Sequence, residues 1–199
     1  MSSLKLTADS GGGTIELKAP PTTASDAAKV ITLSQNPGMV TQVVSTTKTD
    51  TYSVTVSANS TASANAIEVS ITPSSSTNKI LILVSAHASS EYMGSVDHGA
   101  VQAILYKGSS VLVQGDAASN RARVTMRAGD SDASSIEEPL NFNYLDTAGG
   151  TSAITYGIRL HNSDNGSKVM YLNRSHTDTD SATTYTRTVS TITVMEISG

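Results

Sequence analysis

The chain has 199 residues and a mass of 20.6 kDa, room for one substantial domain with an appended segment. Its 13 basic and 17 acidic residues leave a formal net charge of −4, and the basic ones are dispersed, so the electrostatic footprint of a nucleic-acid binder is missing. With no Cys there is no disulfide framework, and no run approaches the roughly 20 apolar residues that span a bilayer, so membrane insertion is not expected.

Residues 1–38 read as an N-terminal arm. Strand-like pieces at Leu4–Leu6, Thr14–Lys18 and Val30–Leu33 are separated by Gly11-Gly12-Gly13 and by Ala19-Pro20-Pro21-Thr22-Thr23, and Ser25–Lys29 is the one place where a turn of helix could start. Each piece offers too few apolar residues for a core of its own, so the arm is expected to be extended and to become ordered against something else, the alternative being a flexible leader. Met1–Leu6 lacks the apolar core of a signal peptide.

From residue 39 onward strand signals come at regular spacing. Val40–Val44, Tyr52–Val56, Ile67–Ile71, Lys79–Ala86, Val101–Tyr106, Val111–Val113, Arg121–Arg127, Leu140–Leu145, Ile154–Leu160, Lys168–Leu172 and Thr188–Ile197 all read as strands. Tyr52–Val56 and Ile192–Ile197 alternate cleanly, the mark of strands with one wet face. Ile80–Val84 is apolar throughout and needs cover on both faces, either in mid-sandwich or in a subunit interface. Turn-rich stretches at 73–78, 117–120, 129–135, 148–150, 163–167 and 177–184 punctuate the strands. Hydrophobic residues make up 38% and aromatics 4%, so the core must be built from Val, Ile and Leu. The expected fold is all-β, a β-sandwich or jelly roll of about 8 to 11 strands over residues 39–199, preceded by the short extended arm of residues 1–38.

Several phrases are distinctive: Gly38–Thr51, Ile71–Ile82, Tyr171-Leu172-Asn173-Arg174-Ser175 and Arg187–Ile197, with Leu4-Lys5-Leu6-Thr7 and Gly11–Pro20 in the arm. Through them most of the chain resembles tail-fibre and other virion structural proteins of marine tailed bacteriophages, cyanophage-like ones in particular. The resemblance implies a homotrimeric appendage, whose arm docks on other virion proteins and whose β-rich head faces a host-surface glycan or protein. It also implies localisation to the virion after assembly in the host bacterial cytoplasm. Independently, a weak arm and an aromatic-poor head suit an obligate oligomer, since neighbouring chains supply buried area.

Candidate chemistry is sparse. Ser, His and Asp are present, but no Gly-x-Ser-x-Gly elbow frames a nucleophile. The local acid pairs Asp130/Asp132, Glu137/Glu138 and Asp178/Asp180 are the glycosidase candidates, and Ser, Thr and Gly around the first and last favour solvated loop acids. His176-Thr177-Asp178-Thr179-Asp180 and Asp97-His98 are metal candidates without the Gly and distal Glu of an EF-hand loop. His87 reads as a satisfied core or interface histidine. Arg121, Arg123 and Arg127 would project from one strand face toward acids of an interface or an anionic glycan, or simply into solvent. Asn59, Asn165 and Asn173 match the N-glycosylation pattern, by chance if the protein is made in bacteria, and Gly11-Gly12-Gly13 lacks the Lys and helix of a phosphate loop.

The sequence therefore leads to a non-enzymatic virion structural protein with no catalytic, cofactor-binding or metal-ligating residue assigned and no cofactor. Alternatives are a head-fibre or capsid-surface decoration protein, a lectin-like carbohydrate-binding module, and a depolymerase.

Overall fold

The computed structural model describes residues 3–7, 14–18, 37–91, 100–129, 137–181 and 183–199. Every regular element among them is a β-strand. The chain divides into two units, residues 1–36 and 37–199. In the first, β1 (Ser3–Thr7) pairs antiparallel with β2 (Thr14–Lys18), Leu4 opposite Leu17 and Leu6 opposite Ile15. The expected strand at Val30–Leu33 and turn of helix at Ser25–Lys29 lie outside the described residues.

The second unit is a β-sandwich of antiparallel sheets. Its strands are β3 (Val40–Lys48), β4 (Tyr52–Val56), β5 (Ser60–Thr61), β6 (Ile67–Ile71), β7 (Lys79–Ser90), β8 (Val101–Lys107), β9 (Ser110–Val113), β10 (Met126–Ala128), β11 (Glu138–Thr147), β12 (Ile154–Asn162), β13 (Lys168–Leu172) and β14 (Ser190–Ile197). The first sheet runs β3-β14-β7-β13-β4, with β11 along the other edge of β7. The second runs β10-β8-β12-β5, with β6 also on β12 and β9 also on β8. Ile80, Ile82, Val84, Ile192 and Val194 from the first sheet meet Ile67, Val69, Leu105, Ile158 and Leu160 from the second in one apolar core, each at most 5% exposed. The β8–β9 hairpin closes with two loop residues, and Gly108, at φ +60°, supplies the left-handed turn geometry that such a loop requires.

All but one of the expected strands of residues 39–199 have a counterpart covering most of the expected residues, with β3, β7 and β11 each four residues longer than expected. The exception is Arg121–Arg127, where only Met126 and Arg127 are strand. β9 explains the interruption: with β12 on one edge of β8, Val113 and Val111 already pair with Leu105 and Tyr106 on the edge that β10 would have to follow, and the Thr125 hydroxyl bridges the junction, donating to the Val113 carbonyl and accepting from the Leu105 N–H at 2.9 Å. Arg121 and Arg123 consequently do not share a strand face with Arg127, and the three-arginine row does not form. The additional strand, β5, is too short to show any alternation. Among the described residues Ile80–Val84 is covered on one face: Ile80, Ile82 and Val84 are buried, whereas Leu83 is 37% exposed. The strand buried on both faces is β8. Its outer residues Gln102 and Tyr106 are occupied by the Ser163 hydroxyl and the Arg159 guanidinium, the latter 4.0 Å from the ring centroid.

Both ends of β14 are fastened by buried polar side chains. At its start, Ser190 Oγ donates to Asn173 Oδ1 at 2.6 Å, and Asn173 Nδ2 donates to the carbonyls of Lys48 and Asp50 at 2.8 and 2.9 Å. Asn173 is fully buried, in the left-handed region at φ 60°, which Asn tolerates better than most residues. At the other end Glu196, 1% exposed, points into the sandwich opposite Ile80. Its Oε1 accepts from the Ser74 N–H (2.7 Å), the Ser74 hydroxyl (2.8 Å) and Asn78 Nδ2 (2.6 Å). Asn78 Oδ1 in turn accepts from the Gly199 N–H, and a Cβ on Gly199 would stand 2.6 Å from the Thr77 carbonyl oxygen, so glycine is required by that close approach.

Burial pushes the Glu196 carboxyl up, but the bonds from Asn78 and from the Ser74 side chain and backbone outweigh it and hold the group below its ordinary value. A carboxyl depressed in the folded state stabilises above its unfolded pKa, about 4.3, and that contribution disappears as pH falls through the lower folded value. Glu196→Ala, which strands the Asn78 and Ser74 donors, should cost about 3 kcal/mol in denaturant unfolding at pH 7. Below about pH 4.3 the wild type should approach the variant, and Glu196→Gln should show a flatter acid limb than wild type.

Candidate functional site

Two surfaces of the sandwich carry features beyond its own stability. The first is a polar pocket between β13 and β14, a cavity of about 320 Å³ lined by Asp178, Thr179, Asp180, Tyr185, Thr186 and Arg187 among others. Charge pairs tie its lining to Arg174, just past the end of β13. Asp178 Oδ2 lies 2.6 Å from the Arg187 guanidinium and 3.5 Å from that of Arg174. Arg174 is oriented by bonds to the carbonyls of Ser175 and His176, and its guanidinium lies 4.4 Å from the Tyr171 ring centroid. The His176 ring stacks on the same tyrosine, with ring centroids 6.0 Å apart. Burial raises the Tyr171 phenol above its ordinary value, with the Arg174 charge working against that and Glu91 for it, so the ring is a neutral platform.

The pocket combines hydroxyls, carboxylates, a phenol and a half-exposed guanidinium, groups that hydrogen-bond to a polar, hydroxyl-bearing ligand. Asp178 and Asp180, one of the acid pairs singled out from the sequence, are both here. Asp178 is engaged with two arginines and ties the loop together. His176 belongs to the neighbouring aromatic stack, and among the described residues no group of three or more His, Asp or Glu comes together as a metal site.

The remaining candidates are dispersed. Glu137 accepts from the Thr186 hydroxyl at 2.9 Å, while Glu138 opens β11 opposite Ala88 and lies against Gly129. Asp130/Asp132 and Asp97-His98 lie outside the described residues, as does Gly11-Gly12-Gly13. His87 Nδ1 is 3.2 Å from the Val189 carbonyl, a partly exposed histidine with a backbone partner. Arg123 donates to the Gly115 carbonyl at 2.7 Å. Asn173 is sealed in the interior and cannot accept a glycan in the folded protein.

A third titratable group, unmarked by any sequence motif, joins the two sheets. The buried Tyr156 phenol donates to Asp146 Oδ2 at 2.8 Å, and Lys107 Nζ lies 2.7 Å from the same oxygen. Burial first, then the Asp146 bond and charge, push the Tyr156 phenol far above its ordinary value, so it remains a neutral donor and acts as a cross-sheet tie.

The second surface is the outer face of the first sheet. Pairing registers place Val43 opposite Met195, Met195 opposite Leu81, and Leu81 opposite Leu145. Four apolar side chains thus form one row across β3, β14, β7 and β11. Val43 and Leu145, on the two outer strands of the row, are 56% and 53% exposed. Sequence alternation could not assemble this row, because it depends on register between strands far apart in the chain. One signal was present: in Ile192–Ile197 the polar Glu196 shares a parity with Ile192 and Val194, leaving Met195 and Ile197 on the outer side.

No family model matches the chain, and no curated protein matches it. Among the described residues no helix is long and apolar enough to cross a membrane.

Because the Asn173 bonds are sealed from water and the Asp178 pairs are not, Asn173→Ala should lower the unfolding free energy by about 3 kcal/mol. Asp178→Ala should cost at most about 1 kcal/mol. Chemical denaturation of the two variants beside wild type checks both values.

Proposed function

We propose that this protein is a non-enzymatic structural component of a tailed-phage particle, a homotrimeric fibre or appendage protein. Its N-terminal segment docks on other virion proteins, and its β-rich head mediates attachment to a glycan or protein of the host surface. No cofactor takes part. The phrases at Gly38–Thr51, Ile71–Ile82, Tyr171–Ser175 and Arg187–Ile197 support this reading through their resemblance to phage appendage proteins.

The single structural observation that carries it is the apolar row on the outer face of the first sheet. A chain that buries one core and leaves a second apolar face in register across four strands is suited to working as an assembly. The polar pocket at Asp178–Arg187 supplies a surface of suitable chemistry for a hydroxyl-bearing receptor. One such contact is weak, and several heads on one particle convert weak contacts into durable adhesion through effective concentration.

Particles whose gene for this chain is deleted should lack a 20.6 kDa band and should adsorb to host cells at least about tenfold more slowly than wild type. Normal adsorption by particles shown to lack the chain would contradict the attachment role.

A further inference from the structure

We infer that copies of this chain join through the outer face of the first sheet, with the row Val43–Met195–Leu81–Leu145 at the centre of the contact. The inference rests on the self-association in the reading above and adds the surface that carries it. It does not depend on where the assembly is used.

The row itself is the first argument. Its members are direct cross-strand partners, so their side chains leave the sheet on one face at the strand spacing of about 4.8 Å, forming a continuous apolar ridge. The next row toward the Glu196 end is Val40–Ile197–Lys79–Thr147, and the next row the other way is Ser45–Thr193–Leu83–Asn143. Val40 is 52% and Leu83 37% exposed, so the apolar surface widens beyond the central row. The three rows cover four strands and about five residues of strand length, a face on the order of 300 Å² before side-chain relief is counted, the apolar centre of a contact that its polar rim brings toward the scale of a small specific interface per partner.

Charge selects the occupant. These three rows contain one charged side chain, Lys79, and its ammonium bonds to the Thr147 hydroxyl at 2.7 Å within the same row. On a molecule of net charge −4, a face almost without charge is where a second copy can approach without repulsion. A partner recognised by charge would find little here to read. The flanking hydroxyls and amide, including the Ser45–Thr193 pair at 2.8 Å, provide the polar rim of such a contact.

Symmetry agrees with a like partner. An axis running along the row brings each residue to the level of its own copies, Val43 with Val43 and Leu81 with Leu81, in apolar layers. This holds for two copies or three, so a single surface patch is sufficient. Among the described residues the second sheet offers no equivalent row, the outward side of β8 being occupied by Arg159 and Ser163.

The test is light scattering on the full-length chain, wild type beside Val43→Asp/Leu145→Asp, with Val111→Asp on the other sheet as control. Val111 is 40% exposed, so the control introduces the same charge at a comparable surface position. The inference expects wild type and control at a multiple of 20.6 kDa and the double variant at the single-chain mass. A milder Val43→Thr/Leu145→Ser pair, checked for an unchanged circular dichroism spectrum, should raise the dissociation constant at least about tenfold. This second pair keeps the test decisive if the aspartates prevent folding. A wild-type oligomer whose mass and dissociation constant neither pair alters would overturn the assigned face and leave self-association standing. A wild type that is a single chain at high micromolar concentration would overturn both.

Discussion

The sandwich depends on a carboxylate in its interior. Glu196 occupies a core-facing position on β14, opposite Ile80, where an aliphatic side chain would ordinarily stand, and its charge is tolerable only because Ser74 and Asn78 direct three donors at one oxygen. Those donors come from the turn just before β7, so the bond set pins the strand to the segment that leads into its neighbour. Asn173 does the same at the other end of β14, joining it to the turn between β3 and β4. With both ends held, a slip of one residue is blocked. Such a slip would turn Ile192 and Val194 out of the core and bring Thr193 and Met195 in.

That register has a consequence on the other side of the sheet. If Ile192, Val194 and Glu196 face inward, then Met195 and Ile197 face outward, beside Leu81, Val43 and Leu145. The internal polar clamp and the external apolar row are therefore two faces of one alignment. The second sheet handles its outer face differently, with Arg159 over Tyr106 and Gln102 bonded to Ser163. The asymmetry between a sheet closed by its own chain and a sheet left apolar is the structural basis for reading the protein as part of an assembly.

Much of the β architecture was legible in the sequence because β-branched runs and turn residues alternate at regular intervals, as in Tyr52–Val56 and Ile67–Ile71. Arg121–Arg127 differs because its arginines alternate like a strand, while the pairing of β9 with β8, which takes the edge residues 121–124 would need, leaves no mark in that alternation. The phrases at Ile71–Ile82, Tyr171–Ser175 and Arg187–Ile197 stood out without a physical reason visible in one dimension. In three dimensions they supply Ser74 and Asn78, Asn173, and Ser190 and Glu196, the residues that clamp β14. The pocket was half legible: Asp178 and Asp180 were marked, but Asp178 meets both Arg174 and Arg187 only because an isolated antiparallel bridge joins those two residues, which spacing does not encode.

Native-state hydrogen exchange tests most directly whether β14 is the clamped strand on which both faces depend. The amides of Ile192–Glu196 that pair with β3 and β7 should exchange only through global unfolding, with the same free energy as the β7 amides and the same dependence on denaturant. If instead they open locally at lower free energy while β7 and β12 stay protected, β14 is a peripheral strand and the account built on its register is wrong.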